Sequence, residues 1–137
     1  MFVAMILTCW LTTAPQERAA EALDVDEAVF RYQFQHNGSA LQEKAERYCL
    51  SIKDKDPPPA FLNRFQGHKP PVSPGSQFQE RKDVLFQVNS LKWIDDNTAE
   101  ILGGYYEGPL SASLSRYRVV RKGGRWVVVN AELLGVS

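Results

Sequence analysis

A glycine pair set inside a valine-rich run constrains this chain more than any other feature. From Ser115 to Ala131 the sequence reads S-R-Y-R-V-V-R-K-G-G-R-W-V-V-V-N-A. Two β-prone arms flank Gly123-Gly124. A two-residue hairpin turn needs positive φ at its central positions, which glycine adopts without steric penalty. The turn sets a register: Lys122 faces Arg125, Arg121 faces Trp126, Val119 faces Val128 and Tyr117 faces Asn130. One face then carries Tyr117, Val119, Trp126 and Val128, and the other carries Arg118, Val120, Val127 and Val129.

The chain before the hairpin continues the β pattern backwards. Val84, Phe86 and Val88 alternate with Leu85, Gln87 and Asn89, and the apolar phase then moves to Leu91 and Trp93, which predicts a bulge near Asn89-Ser90. Asp95-Asp96-Asn97 is a turn, Ala99, Ile101 and Gly103 begin the next strand, and Glu107-Gly108-Pro109 leads to Leu114, where the hairpin opens.

Upstream, the spacing predicts a helix over Leu23–Gly38. Asp24 is its expected N-cap with Glu27 three residues on, and Asn37-Gly38 supplies a left-handed end. Its face is Val25, Ala28, Val29, Tyr32 and His36, widened by Phe30 and Phe34. Ser39 opens a short second helix to Glu46, and Tyr48–Ile52 is a strand. Asp56 caps a proline-led turn of helix bearing Phe61, Leu62 and Phe65, closed by Gly67. Lys69–Ser76, with three prolines, is expected to form a surface loop without regular structure. The fold class is α+β: N-terminal helices packed on a C-terminal antiparallel meander of about four strands, forming a single domain over residues 23–137.

The 137 residues, 44% of them apolar, suffice for one packed core. Sixteen basic residues balance sixteen acidic ones, so bulk charge calls for neither a nucleic acid nor an anionic membrane as partner. The opening run M-F-V-A-M-I-L-T-C-W-L is uncharged and apolar over about eleven residues, too short to span a bilayer and suited to the core of a signal peptide. No Lys or Arg precedes it. Residues 1–22 therefore read as a leader and mobile spacer, with cleavage after Ala14 or Ala22. The expected location is periplasmic or secreted, with no transmembrane segment in the mature chain. Removing the leader removes Cys9 and leaves Cys49 alone, which excludes an intramolecular disulfide and makes Cys49 a small core residue.

No nucleophile elbow, P-loop or dinucleotide-binding glycine motif occurs. His36 and His68 stand apart from each other and from any ligand-spaced partner, so no metal or cofactor is expected. Gly103-Gly104 sits within a strand, where glycine marks a bend or the close approach of another group. Tyr105 and Tyr106 follow it on opposite faces, one for the core and one for a ligand. They mark the expected lip of a pocket, with His68 as the third ligand-binding candidate. Arg116, Arg118, Arg121, Lys122 and Arg125, interleaved with Tyr117 and Trp126, form a cationic cluster. Arg116 and Arg118 are its polyanion-binding candidates, with Asp95, Asp96, Glu100 and Glu107 available to neutralise it.

The blocks E-A-V-F-R-Y-Q-F, Y-C-L-S-I, D-P-P-P-A-F-L-N-R-F, G-H-K-P-P-V-S-P-G-S and G-G-Y-Y-E-G, with Tyr117–Val129, resemble small exported bacterial proteins of unknown function. A long helix followed by a meander ending in Y-R-V-V…G-R-W-V-V also resembles the NTF2-like (cystatin-like) cone. That resemblance implies a pocket between helix and sheet, in a family of isomerases, dehydratases and non-enzymatic binders. The catalytic Asp/Tyr pair of its isomerases has no matching positions here. The sequence thus supports a non-catalytic exported binding or structural module. The alternative is a pocket enzyme using Tyr105 or Tyr106 with His68. A homodimer through the sheet face bearing Val127 and Val129 is also expected.

Overall fold

The computed structural model describes the chain from residue 14 to residue 137, with side chains described from Arg18 onward; the expected leader core lies outside these residues. The first element, α1, spans Ala14–Gln35, so the helix begins well before Leu23. Ala14–Ala22, expected as a mobile spacer, is helical. Its Ala, Glu and Arg residues are strong helix formers, and Pro15 is tolerated in a first turn. Asp24 is consequently not a cap. It lies within the helix and accepts a hydrogen bond from Arg64 Nη1 at 2.8 Å. Gly38 is not left-handed. The helix end is closed by Asn37, whose Nδ2 donates to the carbonyls of Gln33 (2.9 Å) and Phe34 (3.2 Å) while its Oδ1 accepts from the Ser39 amide.

One six-stranded sheet follows. Its strands are β1 (Arg47–Ile52), β2 (Val72–Pro74), β3 (Asp83–Asp95), β4 (Thr98–Gly108), β5 (Ser111–Lys122) and β6 (Arg125–Val136). Their order is β2-β1-β3-β4-β5-β6. β3 to β6 are the expected antiparallel meander, and β1 and β2 extend it with parallel pairing. Strand β2 corrects the reading of the proline stretch as irregular. It occupies the sheet edge, where a missing proline N–H is tolerated, and the Pro71 carbonyl accepts from the Tyr48 amide at 3.0 Å. The expected helix after Ser39 shrinks to a 3₁₀ turn over Gln42–Lys44. The helix α2 spans Pro59–Leu62 with Pro58, not Asp56, at its cap. Asp56 instead accepts from the Ser76 amide (2.8 Å) and hydroxyl (2.6 Å).

The hairpin turns at Gly123 (φ 57°) and Gly124 (φ 76°), and its register holds from Lys122↔Arg125 to Val119↔Val128. A shift then places Tyr117 opposite Ala131 rather than Asn130, because Val129 bulges out of the ladder. The expected bulge in β3 lies between Val88 and Ser90.

Helix α1 lies across one face of this sheet, here called the inner face. Its buried stripe is Val25, Asp26, Val29, Phe30, Gln33 and Phe34, at the spacing of one helix side. The stripe packs on Tyr48, Leu50, Phe86, Val88, Ile101, Tyr117 and Val119. The Phe34 ring sits 5.0 Å from both Tyr48 and Phe86. The helix start is tied to the hairpin by ions. Glu21 pairs with Arg18 and with Arg121, each at 2.6 Å. The Arg18 guanidinium in turn lies 3.6 Å above the Trp93 ring.

Gly103-Gly104 is where backbone meets backbone. A Cβ on Gly104 would overlap the Ser113 carbonyl, and one on Gly103 the Gln87 carbonyl. Gly104→Ala is therefore expected to destabilise by more than about 3 kcal/mol or to prevent folding, while Gly135→Ala, which meets open space, stays within about 0.5 kcal/mol of the parent in urea unfolding. Equal losses in the two variants would contradict this packing.

Candidate functional site

The expected pocket lip at Gly103–Tyr106 borders a cavity of about 200 Å³ at the C-terminal end of α1. The β4–β5 ladder runs from Thr98↔Val120 to Gly103↔Ser115 and resumes only at Tyr106↔Ala112. The cavity lies beside that gap. Its polar wall comes from Gln33 and Asn37 on the helix side and from Tyr105, Ser113, Ser115 and Tyr117 on the strands; Leu133 of β6 contributes an apolar side.

Gln33 organises this wall. It is 2% exposed. Its Nε2 donates to the Gln87 carbonyl at 3.1 Å and lies 3.4 Å from both the Gly104 carbonyl and the Tyr117 hydroxyl. Two carbonyl acceptors fix which way the amide points, since carbonyls take only donors. The opposite atom, Oε1, then has no hydrogen-bond partner among the described residues. An unmet buried acceptor costs about 1–3 kcal/mol relative to a satisfied one. Burial pushes the Tyr117 phenol up, partly offset by hydrogen bonds with Gln33 and Ser115. Tyr117 is therefore a neutral hydroxyl at ordinary pH. The site sets an amide oxygen without a partner among the described residues beside the hydroxyls of Ser113, Ser115 and Tyr117, which is chemistry for binding.

The structure separates the three ligand-binding candidates. Tyr105 faces inward and lines the cavity. Tyr106 lies on the opposite face, its ring edge-on to Phe78 at 5.7 Å and its hydroxyl donating to Glu80 at 3.4 Å. His68 packs against Phe34 (4.9 Å) and Tyr48 (5.7 Å), with Nδ1 2.8 Å from the Pro70 carbonyl. It borders a different cavity with Gln35, Glu43 and Lys69. Tyr105 and His68 thus share no pocket. His36 lines the tyrosine pocket but is held against Tyr32, its ring stacked at 4.1 Å and its Nδ1 3.0 Å from the Tyr32 carbonyl.

Arg116 and Arg118 lie on the outer face within an ion-pair ladder. Arg116 contacts Glu100 at 3.5 Å and Glu132 at 3.0 Å, and Arg118 reaches Glu100 at 3.9 Å. Cys49 is fully buried, and burial pushes its thiol up to about 12.

Sequence reasoning missed Gln33, Ser115 and Tyr117 as site residues, and with them Asp26. A signal was present: Asp26 and Gln33 each interrupt the stripe Val25, Val29, Phe30, Phe34, seven residues apart on one helix side. Asp26 is 4% exposed, and burial raises its carboxyl to about 7 against a partly opposing effect of Lys53.

Comparison of the chain with family models, curated proteins and solved structures finds no match. The site rests on its own geometry.

Asp26 makes stability depend on pH. The folded carboxyl, raised to about 7, keeps its proton where the unfolded one has already lost it. The native state is therefore penalised progressively as pH rises from about 4 to 7, reaching on the order of 4 kcal/mol above that window. Asp26→Asn is expected to gain stability over the parent at pH 8 and little at pH 4, read from urea midpoints. An equal gain at both values would contradict the assignment.

Proposed function

We propose that this chain is a non-catalytic ligand-binding module exported to the bacterial envelope, with a cone of the NTF2-like kind and the Gln33–Tyr105–Tyr117 cavity as its binding site. The observation that carries the reading is Gln33 Oε1, buried without a hydrogen-bond partner among the described residues, in a wall that also carries the Tyr105 and Tyr117 hydroxyls. A ligand donor supplies what the protein leaves unmet. The cavity of about 200 Å³ has the volume of six or seven waters at about 30 Å³ each, so it suits a small uncharged molecule. The enzymatic alternative draws less support, because His68 lies in another cavity and Tyr106 on another face.

Export is supported by the apolar opening run. No described helix is long and apolar enough to cross a membrane. Val127 and Val129, 41% and 43% exposed, support a homodimer through the outer sheet face.

Binding is tested by titrating phenol, benzyl alcohol and benzamide into labelled protein and following amide shifts by NMR. Saturable shifts at Gln33, Tyr105, Ser115 and Tyr117 are expected, with affinity reduced about tenfold in Gln33→Met, the loss of one charge-neutral hydrogen bond. Probes that leave these residues unmoved, or that bind Gln33→Met equally well, would refute the site. Export is tested separately by mass spectrometry of protein made in a bacterial host. A mature species beginning after Ala14 is expected, since cleavage after Ala22 would remove Arg18 and Glu21, which tie α1 to the hairpin, and an intact N-terminus contradicts processing.

A further inference from the structure

The other polar interruption of the α1 stripe borders a cavity of its own. Asp26 precedes Gln33 by seven residues, about 10 Å along the helix axis. It lines a space of about 510 Å³ between the first half of α1, the end of β1 and strand β3. That volume falls within the roughly 300–1,000 Å³ of small-molecule sites. Leu23, Ile52, Val88, Leu91 and Trp93 give the cavity mainly apolar walls. Asp26 is the most deeply buried polar residue in them. Its Oδ1 has no hydrogen-bond partner among the described residues, and no ion pair forms on its carboxylate among them.

Two cations belong to the same wall, and neither satisfies Asp26. Arg18 is committed to Glu21 at 2.6 Å and to the Asp95 carbonyl at 3.1 Å, and its plane covers the Trp93 ring. Lys53 follows β1 on the exposed rim. It acts on Asp26 only through its charge, with no contact within ion-pair distance. A buried carboxylate with mainly apolar surroundings, and with neither a hydrogen-bond partner nor a cation within ion-pair distance among the described residues, is completed by a ligand that brings both a positive charge and a donor.

We propose that this cavity is a second binding site, independent of the Gln33 site, for a small aliphatic or single-ring molecule bearing a primary ammonium, with the Asp26 carboxylate accepting from the ammonium and the walls covering the apolar body. Seating the ammonium favours the ionised carboxylate. Because Asp26 holds its proton up to about pH 7, binding at pH 6 releases a proton, and the apparent affinity falls about tenfold per pH unit below that point. Lys53 and Arg18 oppose a cation at the rim, so the ammonium must reach Asp26 rather than stop at the mouth.

The experiment is calorimetric titration of the intact protein with hexylamine, hexanol and hexanoate at pH 6 and pH 8. Hexylamine is expected to bind about tenfold or more tightly than hexanol at pH 8. At pH 6 its measured heat should differ between phosphate and Bis-Tris by the difference in their ionisation heats for one released proton. Asp26→Asn should reduce hexylamine to the affinity of hexanol, with hexanol itself unchanged. Ala22→Phe, which leaves the carboxylate and narrows the cavity, should weaken binding of all three and arbitrates if Asp26→Asn does not fold. Methyl shifts at Ile52, Val88 and Leu91, without shifts at Leu133, separate this site from the Gln33 site. Hexylamine no tighter than hexanol, tighter binding of hexanoate, heat independent of buffer at pH 6, or undiminished amine binding in either variant would overturn the proposal.

Discussion

Everything in this molecule depends on the apolar stripe of α1 pressed against the inner face of the sheet. Phe30 and Phe34 enter a set of rings that includes Tyr48, Phe61, Phe65 and Phe86. Removing such a ring from a core typically costs about 3–5 kcal/mol. The contact also dictates the backbone of β4. Gly103 leaves room where a side chain would meet both the Gln87 carbonyl and the Gln33 amide, which would stand 3.2 Å from its Cβ. The helix, the glycine pair and the interrupted β4–β5 ladder are parts of one arrangement, and the cavity beside Tyr105 is the space it leaves.

Within that stripe two positions break the rule that a core-facing residue is apolar. Asp26 and Gln33 are each buried, and each has an oxygen without a partner among the described residues. Natural folds seldom leave such atoms, because desolvating them is unfavourable. Gln33 has a structural share as well, since its Nε2 ties the helix to the Gln87 carbonyl. Asp26 makes no hydrogen bond among the described residues, and leucine in its place would suit the surrounding Val and Leu walls better. Sites that work against local stability are where binding is most readily explained.

Much of the fold was legible in the sequence because it obeys local rules. Gly123-Gly124 demanded a turn with positive φ, and the change of apolar phase after Val88 demanded a bulge. What was not legible came from tertiary partners. The helix started early because no signal after Ala14 stops it, and the acidic pattern Asp24/Glu27 that imitates a capping box serves Arg64 instead. β2 formed in a proline-rich stretch because the edge of β1 lay open to it. The bulge at Val129 follows from the pairing of two long strands, which turn chemistry alone does not encode. Of the site, Tyr105 was legible from the glycine pair before it. Gln33 was marked only by its interruption of the apolar stripe, and Ser115 and Tyr117 were not legible, because only the fold shows which polar side chains face inward. The ion pairs of Arg116 and Arg118 with Glu100 were foreseeable from charge; the pairs of Arg116 with Glu132 and of Arg121 with Glu21 required the three-dimensional neighbours.

Both cavities on the inner face of α1 are read from buried polar groups, and the sharper of them is the desolvated carboxyl group of Asp26. The direct measurement is an NMR titration of the Asp26 side-chain carboxyl carbon in the folded protein. A midpoint near 7 is predicted. A midpoint near 4, in the range of an ordinary solvated aspartate, would mean that water or a protein cation already satisfies it, and would contradict the account.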